Sequence, residues 1–251
     1  MKVRNKGLTI ARRLVVEHCR LCMGVPAHAL VGRIDVGPLA TARTLAAQRP
    51  AWTAIFAKAQ ALAALEVPEL RRIYVKLPWP HVCEVDSSVA AIVVDREIDG
   101  EATLLYALVK SPERTSLLAS SERIRQTKTA PLSTLANIRV ALRVARLPQP
   151  LRRLFVWLGR NIGYQAASQL GTFGISAIYG DGFFFPNPAT HWTSFLIYTP
   201  IGADGMTQLN FVFDHRVMDG SRAMAGFRAL QAALLGPVLA ELQALPPHCA
   251  V

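Results

Sequence analysis

The passage that most limits how this chain folds lies near its end. MTQLNFVFDH (206–215) reads as a strand, and SRAMAGFRALQAALLG (221–236) reads as a helix that Gly236 is placed to end. Only RVMDG joins them. The same change of period recurs upstream. Residues 7–22 have helical spacing, with Leu8, Ala11, Leu14 and Val15 on one side, and 28–36 alternate like a strand. Two helices follow at 37–48 and 51–66, the second rich in alanine and suited to close packing. Segments 71–77, 81–94 and 102–110 read as strands, and 111–127 returns to helix. Ser133 is a plausible N-cap for a helix that Pro148 stops, and a shorter helix follows Pro150. Strands at 171–180 and 191–201 precede the final pair. Helices and strands alternate without strict βαβ regularity, so the expected class is α/β: a mixed sheet in two layers with helices.

The 251 residues show no long linker and no internal repeat, and are read as one domain, 1–251. With 51% hydrophobic and 18% charged residues, disorder is excluded. The N-terminal stretch lacks the apolar core of a signal peptide, and no apolar run approaches the roughly 18 residues of a spanning helix. A cytoplasmic protein, at most peripheral to the inner face of the membrane, is expected. Cys19, Cys22, Cys83 and Cys249 are too scattered for a disulfide framework. The HCRLC segment around Cys19 and Cys22 has no second ligand pair at metal spacing, so no metal is expected.

The net charge of +11 is local. No acidic residue occurs between Glu122 and Asp181, an interval holding nine of the chain's arginines and lysines. Arg139, Arg143 and Arg146 share a helical face, and Arg152, Arg153 and Arg160 follow on the next helix. A basic amphipathic hairpin at about 133–160 suits an anionic membrane surface or an acidic partner such as acyl carrier protein or the phosphates of coenzyme A. The alternative is an apolar face packed on the sheet with solvated arginines. Little aromatic interleaving and no recognisable binding module argue against nucleic acid.

FDHRVMDGS (213–221) gathers Asp214, His215, Arg216 and Asp219 where the strand meets the helix. Such a junction fixes a side chain while leaving it accessible, and histidine is the side chain most easily used as a base near neutral pH. Asp219 at a helix start also serves as an ordinary cap. On the residues alone, a capped turn and a catalytic histidine both stand.

FDHRVMDGSRAMAGFRALQAALLGP resembles the C-terminal motif of the acyltransferase components of 2-oxoacid dehydrogenase complexes, which share the chloramphenicol acetyltransferase fold. Residues 8–43 resemble that family's opening helix and strand, and 51–70 its buried helix ending in Val-Pro-Glu-Leu. LGTFGISAIYGDG resembles its Gly-Thr-Phe-Thr-Ile-Ser strand, and PNPAT its Asn-Pro-Pro-Gln turn. The resemblance implies His215 as catalytic base, Ser176 as hydrogen-bond donor to the oxyanion, and Asp219 as a structural residue paired with Arg13. It implies a homotrimer with Ser176 of one chain facing His215 of the next. The donor would be acyl-CoA or acyl carrier protein: a coenzyme A thioester is a cosubstrate, with no covalently bound cofactor. Two rivals share the fold: a non-catalytic trimeric scaffold or membrane-associated binding protein, and a core served by lipoyl domains from another chain.

Departures from the family are local. The chain begins directly with the catalytic part and has no lipoyl-attachment site, and the Ser176–His215 spacing is compressed. VPELRR carries arginine where asparagine is usual, and ALVKSPE replaces a more apolar stretch. His28 is expected as a satisfied core residue and His191 as a loop residue; His81 and His248 are unassigned.

Overall fold

The computed structural model describes residues 3–178 and 188–248. Cys249 and the last two residues of the expected strand 171–180 lie outside them. The first half comprises α1 (Ile10–Cys22), β1 (Ala27–Asp35), α2 (Gly37–Leu45), α3 (Trp52–Glu66), β2 (Arg72–Val75), β3 (His81–Glu84), β4 (Val89–Ile98) and β5 (Glu101–Lys110). The second comprises α4 (Leu117–Thr129), α5 (Ala136–Arg146), α6 (Gln149–Asn161), a short α7 (Gly163–Gln165), β6 (Phe173–Ala177), β7 (Ser194–Tyr198), β8 (Met206–Asp214), α8 (Gly220–Ala233) and α9 (Leu239–Gln243).

Six strands form one mixed sheet in the order β1-β8-β7-β6-β4-β5, and β2 pairs with β3 in a small second sheet. β6 runs parallel to β4 and β7; the other pairs are antiparallel. The expected α/β class with a mixed sheet holds. The alanine-rich α3 is buried on nearly every side, as its lack of a polar face requires, and packs against the sheet, α4 and α8. Helix α1 packs against β5 and β4, with α5 and α6 beside it. Asn137 Nδ2 of α5 donates to the Tyr106 carbonyl of β5, 2.9 Å away, satisfying one acceptor of that edge strand.

Several boundaries differ from the sequence reading. The run 81–94 is two strands in two sheets, broken at Asp86–Ser88. Ser133 is not an N-cap: it sits in a 3₁₀ turn, Leu132–Thr134, that seats Leu135 in the core, and α5 begins after it without a side-chain cap. Gly236 does not end the last helix. A π-helical turn, Leu234–Val238, accommodates Pro237 and leads into α9. The continuous run Gly220–Gln243 is therefore long and apolar enough to cross a bilayer by length and composition, contrary to the sequence expectation. Here its Ala223, Leu230, Leu234, Val238 and Leu242 are buried, and α8 lies against α3 and β1.

Gly174 of β6 shows how tightly the outer sheet face is filled. A Cβ there would lie 2.4 Å from Phe195 and 2.6 Å from Trp192. Gly174→Ala is expected to destabilise the protein by about 1–3 kcal/mol, measured by denaturant unfolding.

Candidate active site

Ser176 is near the end of β6. Phe173 and Ile175 face the main core, so alternation turns Gly174 and Ser176 to the opposite face, toward Trp192 and Phe195. β6 pairs with β4 only through Ala90–Ile92. Beyond that point a cavity of about 680 Å³ separates the two strands, walled by Val93 and Asp95 on one side and by Ser176, Ala177 and Ile178 on the other. Its volume falls within the usual range for small-ligand sites.

His18 of α1 and Tyr106 of β5 also face this cavity. His18 Nδ1 is 3.2 Å from the Tyr106 hydroxyl, and Nε2 is 3.5 Å from the Cys22 Sγ. The His191 ring lies 5.3 Å from that of His18, and the Trp192 indole NH donates to the Leu170 carbonyl. Burial lowers the pKa of His18, partly offset by a hydrogen bond with the Ala189 backbone. Burial, with His18 and Arg160 nearby, holds His191 well below the usual histidine range. Burial, reinforced by Cys19, pushes the Cys22 thiol up to about 12, and burial also raises Tyr106. At neutral pH the cluster is therefore uncharged, and Cys22 is no nucleophile despite its histidine neighbour.

These buried histidines predict a pH response. The unfolded chain takes up protons as pH falls below about 6.5, whereas the folded state keeps His18 and His191 neutral. Stability present above that pH is therefore lost as pH falls. Between pH 6.5 and 5 the melting temperature should drop, and His18→Gln should reduce the slope.

His215 directly follows β8. Its backbone N–H donates to the Pro26 carbonyl at 3.0 Å, its exposed ring meets that of His28 edge-on at 4.9 Å, and β1 pairs with β8 alongside. His28 is itself exposed, so it is not the core residue expected. The turn is locked by two members of the 213–221 cluster to which the sequence reading gave no role. Buried Asp214 accepts from Arg216 through both oxygens, at 2.9 and 2.6 Å, while the guanidinium stacks 4.4 Å over Tyr74. Asp219 is the N-cap of α8, accepting from the Arg222 N–H at 2.9 Å and the Ser221 hydroxyl at 2.8 Å. Those two bonds, the Arg222 bond foremost, lower its pKa.

The expected Arg13–Asp219 ion pair is not formed. Arg13 donates instead to the carbonyls of Leu8 and Ala145, binding α1 to α5, while Asp219 is engaged at its cap. The arginine of VPELRR that departs from the family pattern is also structural: Arg71 donates to the carbonyls of Ala64, Val85 and Asp86. Of the six arginines assigned to a basic surface, four are exposed: Arg139, Arg143, Arg146 and Arg153. Arg152 and Arg160 are not, at 4% and 8% exposure. Arg152 is paired with Glu17 at 2.7 Å, and Arg160 donates to the carbonyls of Tyr74 and His191, both at 2.8 Å. His191 is buried with them rather than lying on an open loop. Among the described residues no group of three His, Cys, Asp or Glu side chains is placed to hold a metal ion.

Ser176 and His215 do not meet within one protomer. Ser176 is level with Ile197 on β7 and Asn210 on β8, and His215 lies five residues beyond Asn210. With two strand spacings between them, the backbone separation is roughly 19 Å.

No protein-family model and no curated protein matches the chain in sequence. Solved structures match it in fold. A probable dihydrolipoamide acetyltransferase from Listeria monocytogenes superposes with a TM-score of 0.62 at 17% identity, over 93% of this chain and 94% of that one. A truncated catalytic core of the 2-oxoacid dehydrogenase multienzyme complex from Thermoplasma acidophilum gives 0.64 at 16%, over 94% and 99%. The Azotobacter vinelandii dihydrolipoamide acetyltransferase gives 0.59 at 16%, over 94% and 93%. In that enzyme a serine, a histidine and an asparagine, the last two four positions apart, were investigated for roles in catalysis. The fold is that of the acyltransferase cores of 2-oxoacid dehydrogenase complexes, as the sequence motifs imply.

Proposed function

We propose that this protein is an acyltransferase that moves an acyl group from a thioester, on coenzyme A or acyl carrier protein, to a nucleophilic acceptor. The observation carrying this reading is the placement, on one acyltransferase-type sheet, of Ser176 in the wall of a large cavity and of an exposed His215 at the end of β8. The fold supports it. So does the Azotobacter enzyme, whose histidine and asparagine have the spacing of His215 and Asp219.

The chemistry needs few groups, because a thioester is already activated. The His215 imidazole takes the proton of the acceptor as its heteroatom attacks the thioester carbonyl. The Ser176 hydroxyl donates to the oxyanion of the tetrahedral intermediate. Collapse breaks the carbon–sulfur bond, and the imidazolium returns the proton to the departing thiolate. Asp219 acts on the protein alone, capping α8 so that the turn bearing His215 keeps its shape; an asparagine side-chain oxygen would cap in the same way. The 19 Å gap requires that Ser176 and His215 come from neighbouring copies, so the active form is an oligomer, as in a trimer with each site between two subunits.

The test is thiol release from acetyl-, medium- and long-chain acyl-CoA with dihydrolipoamide, amine and lipid-extract acceptors. Ser176→Ala should lower the rate about 10²–10³-fold, the usual cost of one oxyanion donor. A rate unchanged by that substitution would refute the role given to Ser176.

A further inference from the structure

A second cavity adjoins the first. It measures about 480 Å³ and lies between α1, α5, α6 and the edge of β5. Leu14, His18 and Tyr106 line both cavities, so one side of this groove is the wall of the cavity that holds Ser176. Away from that wall its lining is mostly aliphatic and aromatic, with Val140 and Val144 of α5 and Phe155, Leu158 and Ile162 in and after α6; Asn137, Gln165 and Gln169 add amides. Val140, Phe155 and Ile162 are 48%, 53% and 43% exposed, so the groove opens to solvent along an apolar rim. The charged residues Glu17 and Arg152 in its lining, among those described, pair with each other.

Gly159 also lines the groove. Glycine is unfavourable inside a helix, and a Cβ at this position would meet no atom within 4 Å. Neither backbone conformation nor packing calls for a glycine there; what its missing side chain provides is room. α5 and α6 carry no carboxylate, and their exposed Arg139, Arg143, Arg146 and Arg153 lie on the helix faces turned away from the groove. An open, largely apolar groove that shares a wall with the Ser176 cavity fits an alkyl chain whose polar end reaches that cavity.

We propose that this groove holds the alkyl chain of a medium- or long-chain acyl substrate, with its carbonyl end toward the His18–Tyr106 wall and the Ser176 cavity. The proposal rests on the acyltransferase reading for which end reacts, but binding in the groove does not depend on turnover.

The test is a fluorescent hexadecanoic acid probe, displaced by unlabelled fatty acids of four to sixteen carbons, on the full chain and on Gly159→Phe. Affinity should rise about two- to four-fold per added methylene until the groove is filled. In Gly159→Phe the long chains should lose at least ten-fold while the shortest are unaffected. Val144→Trp, which narrows the groove from α5, should act in the same direction and covers the case in which the glycine variant fails to fold. Affinity independent of chain length, or long chains bound equally by wild type and both folded variants, overturns the proposal. Chain-length-dependent binding without any His215-dependent thiol release would sink the acyltransferase reading and leave the groove assignment standing. Acyl transfer confined to acetyl donors, with no long-chain binding, would do the reverse.

Discussion

His215→Ala should lower acyl transfer about 10²–10⁴-fold, the range for loss of a general base. The fold should survive, because the ring is exposed and the turn is held by Asp214, Arg216 and the Asp219 cap. The substitution also tests where the site lies. If Ser176 and His215 act from different copies, Ser176→Ala and His215→Ala chains should complement each other when coexpressed. In randomly mixed rings about a quarter of the sites would combine both native residues. Activity at that level, from two nearly inactive parents, is the expected result. A His215→Ala protein as fast as wild type would exclude the mechanism, and parents that fail to complement would place both residues in one protomer.

The second large effect concerns stability. Arg152 and Glu17 are 4% and 6% exposed and bond at 2.7 Å, 135 residues apart in sequence. Removing the cation alone leaves a buried carboxylate whose remaining ion-pair partner among the described residues is Arg20, 3.9 Å away and half exposed. Arg152→Leu should therefore cost about 3–5 kcal/mol. For a chain of this size that is a fall of roughly 6–20 °C in melting temperature. Replacing both partners by leucine should recover most of the loss, because no charge is then left without a partner. A double variant no more stable than Arg152→Leu would show that the pair's geometry, rather than the stranded charge, sets the cost.

Much of the architecture was legible in the sequence because it depends on local period. The apolar run of α3, the alternation of β6 and β8, and the Asp219 cap are all properties of a few adjacent residues. The same local reading ran 81–94 together as one strand, since two strands of one period differ only in which sheet receives them. The Ser133 cap failed because burying Leu135 outweighed a side-chain bond at the surface. Arg152 and Arg160 were placed on a basic face because helical spacing records direction but not what lies there. Their partners, Glu17 and the carbonyls of Tyr74 and His191, are brought near only by tertiary structure. For the same reason His18, Tyr106 and His191, which come from α1, β5 and the segment before β7, did not appear as a cluster. His215 was legible because it sits at a junction of periods; its distance from Ser176 was not, because register across β6, β7 and β8 is not written in any one of them.

The sheet order also constrains how the protein is made. β1 precedes the other described strands in sequence, yet its neighbour within the sheet is β8, and Ala27 pairs with Asp214. Until β8 has been made, β1 lacks that partner in the sheet. Closing that edge of the sheet is thus a long-range pairing, and β1 and the core residues it helps to cover must wait for a strand made much later.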